Sequence, residues 1–322
     1  MTNLKGKRIV VTGAFGFLGK HLLRKLISDV GEETEVIGIG SGTLDLRKQD
    51  KVFEWFEERE PDIVIHLGAD VGGIGYNKKN PGKIFYNNMI MGLNVIEACR
   101  KFNVGKLVVT GTVCAYPKYT KVPFKEETLW DGFPEETNAP YGVAKRGLLL
   151  MMQGYRKQYG LNGIYLLVVN MYGEHDHFIG EDNHVIPALI RKFSEAKESG
   201  QQTVTLWGTG KATREFLYVG DASEAIFRAT KQYDKPMPIN VGAGFEISIQ
   251  ELASKIADII GYEGTIDFDT SKPDGQPRRC LDIEKAEKYF QFRAHTDIDT
   301  GLRKTIEWYK GSQLVKGLAR PI

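Results

Sequence analysis

Seven residues near the start of the chain, Gly13-Ala14-Phe15-Gly16-Phe17-Leu18-Gly19, restrict the fold more than any other stretch. They follow an apolar run, RIVVT at 8–12, and lead into helical spacing of apolar positions at 21–30. Between a buried strand and a helix, glycines at this spacing make a tight turn. Such a turn aims the amides of the helix N-terminus at an anion such as a pyrophosphate. Three glycines alone say little; their place between strand and helix predicts dinucleotide binding.

Apolar runs at 8–12, 36–39, 63–67, 107–110 and 165–170 lack period-two alternation, as expected of strands covered on both faces. Helical spacing fills the gaps at 21–30, 51–60, 84–102 and 142–159. This alternation predicts an α/β protein with a Rossmann-type doubly wound parallel sheet. From about Tyr172 the rhythm changes to an amphipathic 185–197, a Gly-rich WGTGKATREF and a helix at 249–260, which predicts a smaller α/β substrate-binding C-terminal domain. Residues 221–241, a helix and then a strand-like run, are placed to return to the first sheet. The expected division is therefore discontinuous. Residues 1–171 with 215–243 bind dinucleotide, 172–214 and 244–312 bind substrate, and 313–322 form a weakly anchored tail. The length of 322 residues suits two domains of ~150 each.

Lys plus Arg number 43 against 41 Asp plus Glu, a formal charge of +2, so the basic excess used to hold nucleic-acid phosphates is missing. With 42% hydrophobic and 26% charged residues the chain reads as a soluble globule with a sizeable core. It contains no uncharged run near the ~20 residues of a membrane span and no apolar leader before the first strand, so neither membrane nor export is expected. Cys99, Cys114 and Cys280 show no disulfide or metal spacing, which predicts a reducing, cytoplasmic setting. His175 and His177 straddle Asp176 without further ligands, and no metal is expected.

After the second apolar run, Gly38-Ile39-Gly40-Ser41-Gly42-Thr43 carries no acid to bind the ribose hydroxyls, which favours NADP over NAD. The first cations for a 2′-phosphate are Arg47 and Lys48, so NAD stays open. Asp45 either lies near the adenine or starts a helix. Further on, Tyr141 and Lys145 stand four residues apart, on one helical face. A phenol with a pKa of ~10 must come down to work near neutrality, and the Lys145 ammonium is expected to bring it down. The run 107–110 leads into Gly111-Thr112, whose hydroxyl is placed to bond a substrate carbonyl.

The glycine turn together with Y-x-x-x-K resembles the extended short-chain dehydrogenase/reductase superfamily. Six strings narrow the resemblance to the GDP-L-fucose synthase family over residues 8–310: HLGADVGGIGYN from His66, VCAYPK from Val113, NMYGEHDHF from Asn170, HVIPALIRKF from His184, WGTGKATREFLYV from Trp207 and DTSKPDGQPRR from Asp269. The resemblance implies epimerisation of GDP-4-keto-6-deoxy-D-mannose at carbons 3 and 5, followed by reduction of its ketone with NADPH. It implies Thr112, Tyr141 and Lys145 for reduction and Cys114 and His184 for epimerisation. On the cofactor it implies Gly13, Phe15, Gly16, Phe17, Leu18, Gly19, Ser41, Asp45, Leu46, Thr110, Lys145, Asn170 and His184; on the GDP-sugar, Lys192, Trp207, Arg214 and Asp274. A homodimer is also implied.

The chemistry asks for such groups independently. A ketone at carbon 4 acidifies the hydrogens on both neighbouring carbons, so inversion needs a base on one face and an acid on the other. Cys114 and His184 can provide that pair; the alternatives are a buried filler and a helix cap. Cys114 is expected in an extended segment, on the same side as Thr112. Lys192 and Arg214 either hold a diphosphate or stay solvated, and Trp207 either stacks on guanine or closes the lobe core. Four positions depart from the family pattern: Thr112 replaces a serine, Glu174 a proline, His177 a small polar residue and Phe15 an arginine. The rival readings are a GDP-sugar 4-reductase or 4-dehydrogenase without epimerisation, acting for example on a heptose, and a catalytically silent nucleotide sensor. Sensing has no use for Tyr141 and Lys145.

Overall fold

The computed structural model describes residues 1–179, 183–272 and 274–318. Six parallel strands form the central sheet in the order Ile239–Val241, Gly163–Val168, Lys106–Thr112, Ile63–His66, Arg8–Thr12, Glu35–Ile39. Helices pack against it, and all seven residues of Lys106–Thr112 are buried, which explains why these strands do not alternate. The α/β doubly wound fold expected from the sequence is the fold observed. Strand order reverses at Arg8–Thr12, which has the second strand on one side and the third on the other. The carboxyl ends of strands at such a reversal open into the crevice where this architecture takes its ligands.

The helices Phe17–Asp29, Gln49–Arg59, Pro81–Lys101 and Ala139–Tyr159 each begin before the residues expected. The first starts at Phe17 rather than 21 because the glycine turn is itself the helix entry, with Gly16 as N-cap. Pro81 and Pro140 occupy first-turn positions, which suit proline but leave no mark in apolar periodicity. The run expected at 165–170 is the strand Gly163–Val168; Asn170 opens a separate short strand, Asn170–Tyr172, paired with Phe216–Tyr218. Gly111 and Thr112 lie inside the fourth strand rather than after it.

Beyond the sheet, Val185–Ser199 precedes Thr203–Trp207, which pairs with Thr265–Asp269, while Thr213–Arg214 pairs with Ile247–Ser248. The helix Ile249–Ile260 has the bounds expected: the Ser248 hydroxyl accepts the Glu251 amide at 3.1 Å, and Gly261, at φ 77°, ends it. Ile239–Val241 pairs with Gly163–Val168 and so returns the chain to the first sheet. The segment expected as a tail from 313 continues the helix Ile298–Leu318, anchored by the buried Leu302, Ile306 and Tyr309. Residues 319–322 of that expected tail lie outside the described residues. Among the described residues, no helix is long and apolar enough to cross a membrane.

Candidate active site

At the reversal point the glycine turn closes on the third strand. Gly13 has φ +68°, and a Cβ there would stand 2.9 Å from the Gly68 nitrogen; a Cβ at Gly19 would stand 2.2 Å from the Gly13 carbonyl oxygen. No side chain caps Phe17–Asp29, so its first-turn amides, in the stretch that includes Leu18 and Gly19, are left for an anion. These features fit a dinucleotide pyrophosphate. Phe15 is half exposed and lies so close over the end of the second strand that a Cβ on Gly40 would meet its ring at 2.6 Å.

In the turn that holds the exposed Ser41, the Thr43 hydroxyl bonds both the amide (2.9 Å) and the carbonyl (2.8 Å) of Gly40. The Arg47 guanidinium grips the Asp45 carboxylate with two 2.9 Å bonds and draws it down to about 2. Leu46 is buried, its carbonyl accepting the Asn94 amide at 2.8 Å.

A line of hydrogen bonds crosses the carboxyl ends of three strands. Lys145 donates to the Thr110 carbonyl (3.0 Å), the Thr110 hydroxyl donates to the His66 carbonyl (3.1 Å), and His66 Nδ1 meets the Thr12 hydroxyl at 2.7 Å. Burial pushes the Lys145 ammonium down to about 8. Burial, with Lys145 nearby, pushes His66 to about 3 and keeps its imidazole neutral. Sequence reasoning gave His66 no role, although it ends a buried run and opens the string HLGADVGGIGYN.

Tyr141 sits in the first turn of Ala139–Tyr159, with Lys145 Nζ 5.8 Å from its ring centre. The expectation that Lys145 lowers the phenol is corrected. Burial, reinforced by Cys114, pushes Tyr141 up, because the protein desolvates the phenolate while Lys145 is bonded to Thr110. A phenol that keeps its proton is suited to giving it away.

The extended segment expected from Thr112 to Cys114 is instead a tight turn over Val113–Ala115, capped by the Thr112 hydroxyl, which accepts the Cys114 amide at 3.1 Å. Gly142 lets the Tyr141 helix rest on that turn: a Cβ there would stand 2.5 Å from the Cys114 carbonyl oxygen. The buried guanidinium of Arg279 donates to Cys114 Sγ at 3.5 Å and is held by Gln276 Oε1 at 3.1 and 2.9 Å. Sequence reasoning missed Arg279 as well. Nothing local distinguishes it from Arg278, which pairs with Glu246 at the surface.

Arg214 donates to the carbonyls of Thr213 (2.8 Å) and Asp274 (3.2 Å), and burial together with Arg279 pushes it down to about 10. Among the described residues neither Arg214 nor Arg279 has a carboxylate within ion-pair distance. The Asp274 carboxylate accepts the amide (2.6 Å) and hydroxyl (2.7 Å) of Thr209, fixing the loop after Trp207. The Trp207 ring is 71% exposed and has Lys272 Nζ 5.9 Å from its centre, so the indole does not close the lobe core. Lys192 is exposed and donates to the Thr205 carbonyl at 3.2 Å. Asn170 donates to the Glu215 carbonyl at 3.4 Å.

His184 is the N-cap of Val185–Ser199, and its Nδ1 lies 3.3 Å from the Asp176 carboxylate. The structure thus gathers Thr112, Cys114, Tyr141, Lys145, Arg214 and Arg279 through direct contacts or near charges, whereas no hydrogen bond among the described residues joins His184 to Cys114 or Tyr141. Cys99 and Cys280 are buried free thiols, and burial pushes Cys280 up to about 12.

Comparison with known proteins agrees with the fold. Residues 9–242 match the NAD dependent epimerase/dehydratase family. A GDP-L-fucose synthase from Sinorhizobium fredii is 42% identical over 94% of this chain and 96% of the relative. A GDP-6-OMe-4-keto-L-xylo-heptose reductase from C. jejuni superposes with a TM-score of 0.89 at 28% identity, covering 97% of this chain and 99% of that one. A GDP-L-fucose synthetase from Naegleria fowleri bound to NADP superposes with a TM-score of 0.86 at 28% identity over 98% and 97%.

Proposed function

Because the chain belongs to the NAD dependent epimerase/dehydratase family, among the GDP-L-fucose synthases, we propose that it is an NADP(H)-dependent epimerase/reductase acting on a GDP-4-keto-6-deoxyhexose. The observation that carries this reading is the meeting of Thr112, Cys114, Tyr141 and Lys145 at the carboxyl end of the strand Lys106–Thr112, beside two guanidiniums that have no carboxylate partner among the described residues. Two such cations suit a diphosphate. Arg214 and Arg279 hold the GDP phosphates, Trp207 stacks on the guanine, and Lys192 adds charge at the rim. Asp274 contributes by fixing the loop that carries Trp207.

Cys114 removes a proton from the carbon beside the ketone, and His184 returns one from the opposite face. The Thr112 hydroxyl bonds the ketone oxygen. Bound NADPH supplies the hydride for carbon 4. Tyr141 gives its proton to the oxygen, and Lys145 braces the helix that carries Tyr141 against the fourth strand. The residues that would hold the cofactor are those of the turn 13–19 together with Ser41, Asp45, Leu46, Thr110, Asn170 and His184. Purified protein incubated with the GDP-4-ketosugar in heavy water should incorporate deuterium at carbons 3 and 5 and consume NADPH. Absence of deuterium at the ring carbons, or of NADPH consumption, would refute the reading.

NADP is favoured because Gly40–Thr43 offers no acid to bind the ribose hydroxyls. In a fluorescence titration NADPH should bind more tightly than NADH; equal or tighter NADH binding refutes the preference. The likeness to the heptose reductase supports a second reading, reduction of a GDP-sugar without epimerisation, in which the ring hydrogens do not exchange.

The division of labour follows the sheet: residues 1–171 with 215–243 hold the dinucleotide, and 172–214 with 244–312 hold the sugar nucleotide. The three free thiols suit the cytoplasm. A homodimer is proposed through the two adjacent helices Pro81–Lys101 and Ala139–Tyr159, which present the exposed apolar side chains Phe85, Tyr86 and Leu150. Sedimentation should give twice the chain mass for wild type and a monomer for Leu150→Lys. A monomeric wild type refutes the assembly.

A further inference from the structure

The loop 173–179 carries a carboxylate that the reaction above leaves unused. Asp176 is buried, and its Oδ1 accepts the His177 amide at 2.7 Å and meets His184 Nδ1 at 3.3 Å, while Oδ2 is enclosed without a hydrogen-bond partner. The backbone beside it is pinned. His175, in the left-handed region at φ 68°, is bonded by Arg24 at 3.1 Å and packs on Trp308 with ring centres 5.0 Å apart. A buried carboxylate on a fixed loop, with half its bonding capacity unspent, costs free energy unless a cation stands beside it. Among the described residues the group within ion-pair distance is the imidazole of His184.

We propose that Asp176 is a positioning residue, which holds the His184 ring by Nδ1 and keeps it an imidazolium whose Nε2 gives a proton to the sugar carbon. The inference rests on the epimerase reading. In each inversion the Cys114 thiolate takes the proton from the carbon next to the ketone, and the C–H electron pair becomes the enolate. The enolate then collapses as the carbon takes the Nε2 proton of His184 on the other face. Cys114 ends as thiol and His184 as neutral imidazole, and exchange with water restores both. Without Asp176 the ring has neither a partner at Nδ1 nor a negative charge to stabilise the protonated form.

The charge acting on His184 is that of Asp176. Its hydrogen bond raises the imidazole above the ordinary histidine range, outweighing burial, and among the described residues no other charged group contributes. A raised histidine stays protonated to higher pH, so exchange should fall on the alkaline side as His184 loses its proton. In Asp176→Asn that alkaline limb should move to lower pH, with a loss at about pH 8 of roughly tenfold for each unit of displacement and little loss at about pH 6. Asp176→Glu keeps the charge and should restore the limb in part.

The direct measurement is an NMR titration of the histidine side chains in the full chain, with His184→Asn assigning the resonance. The His184 midpoint should drop in Asp176→Asn, while that of His21 stays in place. An unchanged His184 midpoint in folded Asp176→Asn overturns the inference. So does a wild-type midpoint at or below that of free imidazole, which decides the matter even if the variant fails to fold. Absence of ring exchange in the wild type would instead sink the epimerase reading, and the titration, which needs no substrate, would still report on the Asp176–His184 pair.

Discussion

Tyr141→Phe should lower ketone reduction by ~10²–10⁴-fold, the usual contribution of a general acid, while leaving NADPH binding nearly unchanged. The substitution removes one hydroxyl and keeps the ring against Lys145, 5.8 Å from its centre. Its effect on reduction follows from the direction of the Tyr141 shift: a phenol pushed up by burial holds its proton at neutral pH, and without the hydroxyl nothing else of this helix turn can protonate the oxygen as hydride arrives. Lys145 is aimed elsewhere, its ammonium donating to the Thr110 carbonyl. The check is NADPH consumption with the ketosugar, alongside a binding titration. Reduction within tenfold of wild type would remove Tyr141 from the donor role.

Cys114→Ser should abolish deuterium exchange at the sugar ring and leave reduction in place. A free thiol ionises far more readily near neutrality than a serine hydroxyl, and here the Arg279 guanidinium donates to the sulfur. The groups that act on the ketone, Thr112 and Tyr141, keep their positions. The variant should therefore release an unepimerised 6-deoxyhexose nucleotide, more slowly where that epimer fits the reductase geometry badly. His184→Asn should impair inversion but leave some exchange, since the Cys114 thiol can trade the proton it took for a solvent deuteron and return that deuteron to the same face. Incubation in heavy water with mass analysis and sugar NMR separates these outcomes. Exchange at the wild-type rate in Cys114→Ser would make Cys114 a packing residue and favour the plain GDP-sugar reductase.

What local chemistry dictates was readable in the chain alone. Buried parallel strands show as unbroken apolar runs, the glycine turn demands close backbone approach at Gly13 and Gly19, and a phenol and an amine four residues apart must share a helical face. Helix starts were misplaced because glycine and proline set them without adding to apolar periodicity. The direction of the Tyr141 shift was misjudged because desolvation depends on everything packed around the ring and is invisible in a spacing. His66, Arg279 and Asp176 owe their places to long-range folding: His66 meets Thr12 across 54 positions, and Arg279 reaches Cys114 across 165. Asp176 and His184 are eight residues apart, a separation of ~12 Å along a helix and more along a strand, so their contact is made by the tertiary structure and not by a period. Sequence spacing reports neighbours along one element. Burial, and the partner a charge finds from another element, come into being only when the elements pack.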